Sequence, residues 1–65
     1  MNASEIRALL VLKGISQATI ADQLGVSNAM ISQVIDGKRT SRRVQEAIAD
    51  AIGKPVCLVF PQRLA

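Results

Sequence analysis

Four glycines divide the chain into runs whose apolar residues recur at the three- and four-residue spacing of a helix: Gly14, Gly25, Gly37 and Gly53. Glycine commonly ends a helix, because it takes the left-handed conformation of the C-terminal cap without a Cβ clash. Strand formers are few and Phe60 is the single aromatic residue, whereas Ala, Leu, Ile and Gln are plentiful. The sequence therefore predicts an all-α fold in which each glycine ends one helix.

The length of 65 residues suits one domain, since domains usually span about 50–250 residues. We expect this domain to cover residues 1–61 and to be followed by a short tail, 62–65. Cys57 is the single cysteine and histidine is absent, which excludes an intrachain disulfide and a Cys/His zinc site. The hydrophobic core or a dimer interface must then stabilise the fold. Cys57 lies among apolar residues, so we expect it to be a buried small hydrophobe.

The N-terminal segment has no basic region ahead of its apolar residues and no small-residue cleavage site. No stretch approaches the roughly 18 apolar residues of a membrane span. Together with one unpaired thiol, these features predict a cytoplasmic protein without membrane contact.

Cap residues mark where the predicted helices begin. Asn2 is followed by Glu5 at the spacing of a capping box, and Ser16 and Ser27 are good N-caps for the second and third helices. For the fourth helix, the cap is either Thr40 or its neighbour Ser41. The predicted apolar stripe of this fourth helix consists of Val44, Ala47, Ile48, Ala51 and Ile52.

The end of the domain can be interpreted in two ways. Pro55 could occupy the first position of one more helical turn, because its fixed φ suits that position. Val56, Val59 and Phe60 could equally lie extended. The sequence leaves four or five helices open.

The third predicted helix has two faces. Met30, Ile31 and Val34 share an apolar face. The opposite face is small and polar, and it consists of Asn28, Ala29, Ser32, Gln33 and Asp36. Residues of such a type, held outward by an apolar inner face, could contact base edges in DNA.

The segment before this helix supplies a scaffold for a tight turn. Ala21 allows close approach of a neighbouring helix, Gly25 permits the positive φ of the turn, and Val26 can fill the space beneath it. Ile31 and Val34 then seat the next helix. This spacing predicts two steeply crossing helices within residues 17–36.

Positive charge is concentrated just after the third helix. The chain has a formal charge of +3, and half of its eight Lys and Arg residues fall within positions 38–43, which contain no acid. A local basic patch of this kind is typical of a nucleic-acid contact, although a solvated loop would have the same composition.

The segment QATIADQLGVSNAMISQVIDGK, from Gln17 to Lys38, resembles the helix-turn-helix of Cro and the lambdoid phage repressors. The end, AIGKPVCLVFP, is similar to that of the small Ner-type phage regulators. The resemblance implies a compact λ-repressor-like domain of four to five helices. It also implies binding to double-stranded DNA through the major groove.

The resemblance implies two groups of contact residues. Those that would touch bases are Asn28, Ala29, Ser32 and Gln33. Those that would touch phosphates are Gln17, Ser27, Lys38, Arg39, Thr40, Arg42 and Arg43, with Arg42 and Arg43 not separable from each other. The chemistry fits, since Asn and Gln bond adenine, Ser serves several bases and an Ala methyl packs on thymine.

Two features of the outward face bear on specificity: its lack of basic residues and the presence of Asp36. The face contains no Arg or Lys, so we expect half-sites that contain A·T pairs rather than a strong guanine contact. Asp36 shares the face at its C-terminal end, where it is expected either to cap the helix or to pair with Arg39.

We therefore predict a sequence-specific transcriptional regulator, a repressor of phage or prokaryotic type that binds a palindromic operator as a homodimer. The predicted dimer surface consists of Pro55, Val56, Leu58 and Phe60, with Leu12 as a possible addition. Scattered acids and an isolated thiol argue against an enzyme, and no cofactor, metal or small-molecule ligand is expected. The alternative is a protein-interaction module, antitoxin-like or adaptor, on the same scaffold. Steep salt dependence of DNA binding would distinguish the two.

Overall fold

The computed structural model describes residues 1–61, and every regular element within them is a helix. The predicted all-α class is thus confirmed. The five helices are α1 (Ala3–Leu12), α2 (Gln17–Leu24), α3 (Asn28–Ile35), α4 (Arg42–Ile52) and α5 (Val56–Val59). The predicted tail, 62–65, lies outside the described residues.

The helices begin at the predicted cap residues. Asn2 Oδ1 accepts a hydrogen bond from the Glu5 backbone N–H at 2.8 Å, and Glu5 Oε1 accepts one from the Asn2 backbone N–H at 2.9 Å. Ser16 and Ser27 cap α2 and α3 through a single bond each, in which the serine hydroxyl accepts from the backbone N–H three residues later. Ser41, rather than Thr40, caps α4. Each cap satisfies a backbone donor that would otherwise lack a partner in the first turn.

Of the two alternatives for the end of the domain, helical or extended, the structure has the helical one. Val56–Val59 form the short helix α5, with Pro55 in the N-cap position just before it rather than within its first turn. α5 packs against α4. This places Val59 and Phe60 in the core, where each is 1% exposed.

α4 is the centre of the packing, because it contacts α1, α2, α3 and α5. Its buried residues differ from the predicted stripe: Ala49 is buried, whereas Ala47 and Ala51 are half-buried. Gln45 is fully buried, and neither amide atom of its side chain has a hydrogen-bond partner within the described residues. A helix surrounded by four others buries more than one stripe, so polar positions can be enclosed as well.

The core formed by the five helices is aliphatic apart from Phe60, and it includes Ile6 and Leu10 of α1. In the described part of the chain, three large apolar side chains stay on the surface: Val11, Leu12 and Leu58. Among residues 1–61, no helix has the length and apolar character needed to cross a bilayer.

Candidate nucleic-acid interface

The turn between α2 and α3 has the geometry that its sequence predicts. Gly25 ends α2 in the left-handed conformation, with φ 69° and ψ 33°. The Val26 backbone N–H then donates to the Ala21 carbonyl at 3.0 Å, which satisfies a carbonyl of the last helical turn. Ala21 is buried and Val26 packs against the core. The chain can therefore leave α2 and enter α3 within three residues.

The two faces of α3 are as predicted from the sequence. Ile31 and Val34 are fully buried, and Ile35 joins them in the core. Asn28, Ala29 and Gln33 are exposed on the other side. Ser32 is half-buried, because a side chain from α1 lies against it. The outward face of α3 thus presents short polar groups and one methyl group.

The N-termini of α2 and α3 lie near the residues of this face in the sequence, and each offers backbone N–H donors. Ser16 and Ser27 each bond the N–H of the third helical residue, at 3.1 Å in both helices. The remaining N–H groups of each first turn have no intrahelical partner, and the positive end of the helix dipole lies there. Gln17 is half-buried and Ser27 is exposed, so both helix ends could accommodate an anion.

The segment between α3 and α4 carries the local positive charge. Lys38, Arg39, Thr40, Arg42 and Arg43 are all exposed. Its path is set by α3, because the N–H groups of residues 38 and 39 both donate to the Gln33 carbonyl, at 2.9 and 3.3 Å. The basic segment is thereby tied to the last turn of the helix whose outer face it adjoins.

Arg42 and Arg43, which the sequence could not separate, differ in the structure. Arg42 forms an ion pair with Glu46 one turn along α4, with Nε to Oε2 at 3.5 Å. No such pair involves Arg43 within residues 1–61. Both side chains of the pair are exposed, so solvent and salt screen their attraction and Arg42 can separate from Glu46.

Sequence reasoning missed Arg7, which lies at this surface. Its guanidinium projects from α1 onto α3, where Nη1 donates to Asp36 Oδ1 at 2.8 Å and Nη2 donates to Ser32 Oγ at 3.0 Å. Asp36 occupies the C-cap position of α3, which was one of the two expectations, and its backbone N–H donates to the Ser32 and Val34 carbonyls. The other expectation, a pair with Arg39, is wrong, because the Asp36 carboxylate pairs with Arg7. The Arg7 hydrogen bond holds the pKa of the Asp36 carboxyl below its ordinary value. No local pattern could have shown this contact, because its residues lie 29 positions apart.

Two expectations about the C-terminal region are also corrected. Cys57 is exposed rather than buried, since α5 turns Val59 inward and Cys57 outward. Phe60, expected on a dimer surface, lies in the core of its own chain, so its side chain is not available to a second chain. Val56 is half-buried and packs on the core, whereas Pro55 and Leu58 are exposed.

In the described part of the chain, side chains that could bind a metal do not lie together. Residues 1–61 bring together no group of three His, Cys, Asp or Glu side chains. The surface around α3 offers hydrogen bonds from short polar groups and attraction of an anion by the basic segment.

A comparison with protein-family models supplies the decisive observation, because a helix-turn-helix model matches residues 6–59. The chain belongs to the helix-turn-helix family. The match covers all of α2, the turn at Gly25 and all of α3. Neither the comparison with curated proteins nor that with solved structures found a match.

As a helix-turn-helix protein, the chain is a DNA-binding transcription regulator. Proteins of this family are typically not enzymes. Membership in this family gives the partner as double-stranded DNA.

Proposed function

We propose that this helix-turn-helix protein is a sequence-specific repressor that binds a palindromic operator as a homodimer through the major groove. One observation carries the proposal: α3 exposes a face of short polar side chains, and its last turn is bonded to an exposed basic segment. Short side chains let the helix backbone approach the base edges closely. The adjoining cations supply affinity without sequence preference.

The base-reading residues of the proposal are Asn28, Ala29, Ser32 and Gln33. Asn28 and Gln33 suit adenine, because an amide can both donate and accept along the N6/N7 edge. Ala29 suits the methyl group of thymine. All four positions are at the surface or half-exposed, and the opposite side of α3 is anchored in the core. A fixed inner face supports this assignment because it limits how the outer face can rotate.

The phosphate contacts of the proposal come from two sources. The first is the pair of helix N-termini at Gln17 and Ser27; Gln17 is half-buried and Ser27 is exposed. The second is the exposed segment after α3, which contributes Lys38, Arg39, Thr40, Arg42 and Arg43. Together these groups would hold the duplex on both sides of α3 and fix its register.

A dimer is proposed because a single α3 reads few base pairs. Each good base contact discriminates by roughly 1–3 kcal/mol, and two half-sites about one helical turn apart multiply that discrimination. The surface that we assign to the dimer is centred on Leu58, which is 50% exposed, and includes Pro55 and Val56. Phe60 supports it from within the core.

The test of sequence reading is selection of binding sites from random duplex DNA, followed by affinity measurements on single-base variants of the selected site. Gln33→Ala should relax preference at one position of each half-site and leave the others unchanged. Gln23→Ala is the matched control, because Gln23 is an exposed glutamine on α2. Equal weakening of every sequence by Gln33→Ala would refute its base-reading role.

The test of phosphate contact is the salt dependence of the same binding. Arg43→Ala should weaken all sequences alike and reduce the slope of log affinity against log salt by about 1. Lys54→Ala removes an equal charge just after α4 and should change the slope less. A flat salt response of the unaltered protein would favour a protein-interaction role for the α3 face instead.

The dimer is tested by sedimentation of purified protein over a range of concentrations. Leu58→Asp should shift the equilibrium to monomer and weaken operator binding with it. Leu12→Asp introduces the same charge at an apolar residue that is 80% exposed near the end of α1. Dissociation by Leu12→Asp alone would move the interface to α1, and a monomer at every concentration, with or without operator, would exclude the dimer.

Repression itself is tested by transcription in vitro from a promoter that overlaps the selected site. Added protein should lower transcript yield in proportion to occupancy. An increase in yield would make the protein an activator.

A further inference from the structure

Arg7, Ser32 and Asp36 form a cluster that joins α1 to the outer face of α3, and we call it the Arg7 clasp. One guanidinium nitrogen donates to Ser32 Oγ at 3.0 Å and the other to Asp36 Oδ1 at 2.8 Å. The contact with Ser32 is partly buried. The clasp thus fixes a side chain that the proposed function assigns to base reading.

We propose that Arg7 is a positioning residue that makes Ser32 a hydrogen-bond donor toward DNA. The inference rests on the proposed base-reading role of Ser32. A serine hydroxyl carries one hydrogen and two lone pairs, so an unrestrained serine can serve either as donor or as acceptor. A guanidinium has donors alone. Once Arg7 occupies a lone pair of Ser32 Oγ, its positive charge orients the hydroxyl hydrogen away from α1.

Asp36 has a defined part in this arrangement. Its carboxylate binds the other nitrogen of the guanidinium, which sets the plane of the fork and keeps Arg7 on α3. It also offsets the charge of Arg7, so that Arg7 is not simply another phosphate-binding cation. An acid at the end of a DNA-facing helix is otherwise unfavourable, because it repels phosphates.

The proposal predicts which bases can lie opposite Ser32. In the major groove guanine presents N7 and O6, adenine presents N7 and thymine presents O4, all of which accept a hydrogen bond. Cytosine presents its N4 amino group, which is a donor. The hydroxyl keeps one lone pair, but its hydrogen is directed outward, so an acceptor is favoured at the base that it meets and cytosine, which offers a donor, is disfavoured. The polar character of α3 alone does not predict this selection against cytosine.

The experiment compares base preferences of Arg7→Met and Ser32→Ala with those of the unaltered protein, using all four bases at each position of the selected half-site. Arg7→Met keeps a long unbranched side chain and removes the guanidinium with all of its donors. We expect both variants to relax discrimination at the same position, by about five- to tenfold against cytosine. The double variant should be no less selective there than Ser32→Ala alone. Thermal melting establishes that each variant is folded.

Two further variants separate positioning from charge. Asp36→Asn keeps an oxygen that can accept from Arg7, so base preference should largely be retained. Arg7→Lys keeps the charge, but a single ammonium cannot reproduce the fork, so discrimination should be partly lost. If Arg7→Met weakens all sequences equally with unchanged preferences, Arg7 is a phosphate contact or a structural residue and the inference is wrong.

The same measurements distinguish failure of this inference from failure of the proposed function. If Gln33→Ala relaxes one position and Ser32→Ala relaxes none, base reading by α3 stands and the Arg7 proposal is refuted. If the unaltered protein prefers no sequence, base reading itself is refuted, and the inference with it.

Discussion

Gln45 allows a stability prediction that can be worked from the structure. Its side chain is fully buried on α4, and neither amide atom has a partner within the described residues. A buried polar group without hydrogen bonds costs about 1–3 kcal/mol relative to its solvated state in the unfolded chain. Gln45→Met removes both polar atoms and keeps an unbranched side chain of similar size. It should therefore stabilise the fold.

The expected gain is smaller than the full cost of burial. Exchanging one buried side chain for another of similar volume usually costs less than about 1.5 kcal/mol in packing. With about 2 kcal/mol as the middle of the burial cost, a net gain of about 0.5–2 kcal/mol is expected, and at about 4–8 °C per kcal/mol for a domain this small, Tm should rise by roughly 2–16 °C. Thermal melting by circular dichroism at constant pH and salt measures this shift.

Controls make the result specific to the buried amide. Gln23→Met alters an exposed glutamine and should change stability by no more than about 0.5 kcal/mol. Gln45→Glu keeps the shape but buries a charge, so Tm should fall. Gln45→Leu repeats the test with a branched side chain. A lower Tm for both Gln45→Met and Gln45→Leu would show that the amide contributes to stability and would refute the reasoning.

Three further outcomes follow from local geometry. Gly25→Ala should destabilise the fold by about 1–2 kcal/mol in urea unfolding, because alanine is strained at this positive φ. An added Cβ meets no atom within 4 Å, so backbone strain is the whole effect, and a neutral result would refute it. Ser27→Ala should cost about 1 kcal/mol from the lost cap, and Ser27→Asp should restore most of that stability while weakening DNA binding. The lowered pKa of Asp36 means that its pairing stabilises the fold above the ordinary carboxyl range and is lost as pH falls through the lowered pKa. Carboxyl titration by NMR should show that pKa rising in Arg7→Met, and an unchanged value would exclude Arg7 as its cause.

Most helix boundaries could be predicted because their causes are local. A capping serine bonds a backbone N–H three residues later, as Ser16 and Ser27 do, and a glycine ends a helix through its own φ. The two faces of α3 also follow from a spacing within eight residues. The base-reading and phosphate-contact assignments come from the resemblance to Cro and the lambdoid phage repressors and remain proposals.

Less could be predicted where several elements meet. α5 has four residues, which is too short for a periodic pattern, so the burial of Phe60 and the exposure of Cys57 depend on how α5 docks on α4. Gln45 is polar and its burial follows from the neighbours that surround α4 rather than from its own sequence pattern.

The sequence by itself determined the helix-turn-helix: Ala21, Gly25, Ile31 and Val34 specify a turn and an inner face through contacts close along the chain. The tertiary structure alone decided what accompanies the outer face. Arg7 meets Asp36 because α1 and α3 both pack against α4, and a contact between residues 29 positions apart has no signature in either segment. The face that appeared to lack an arginine therefore has one, supplied by another helix.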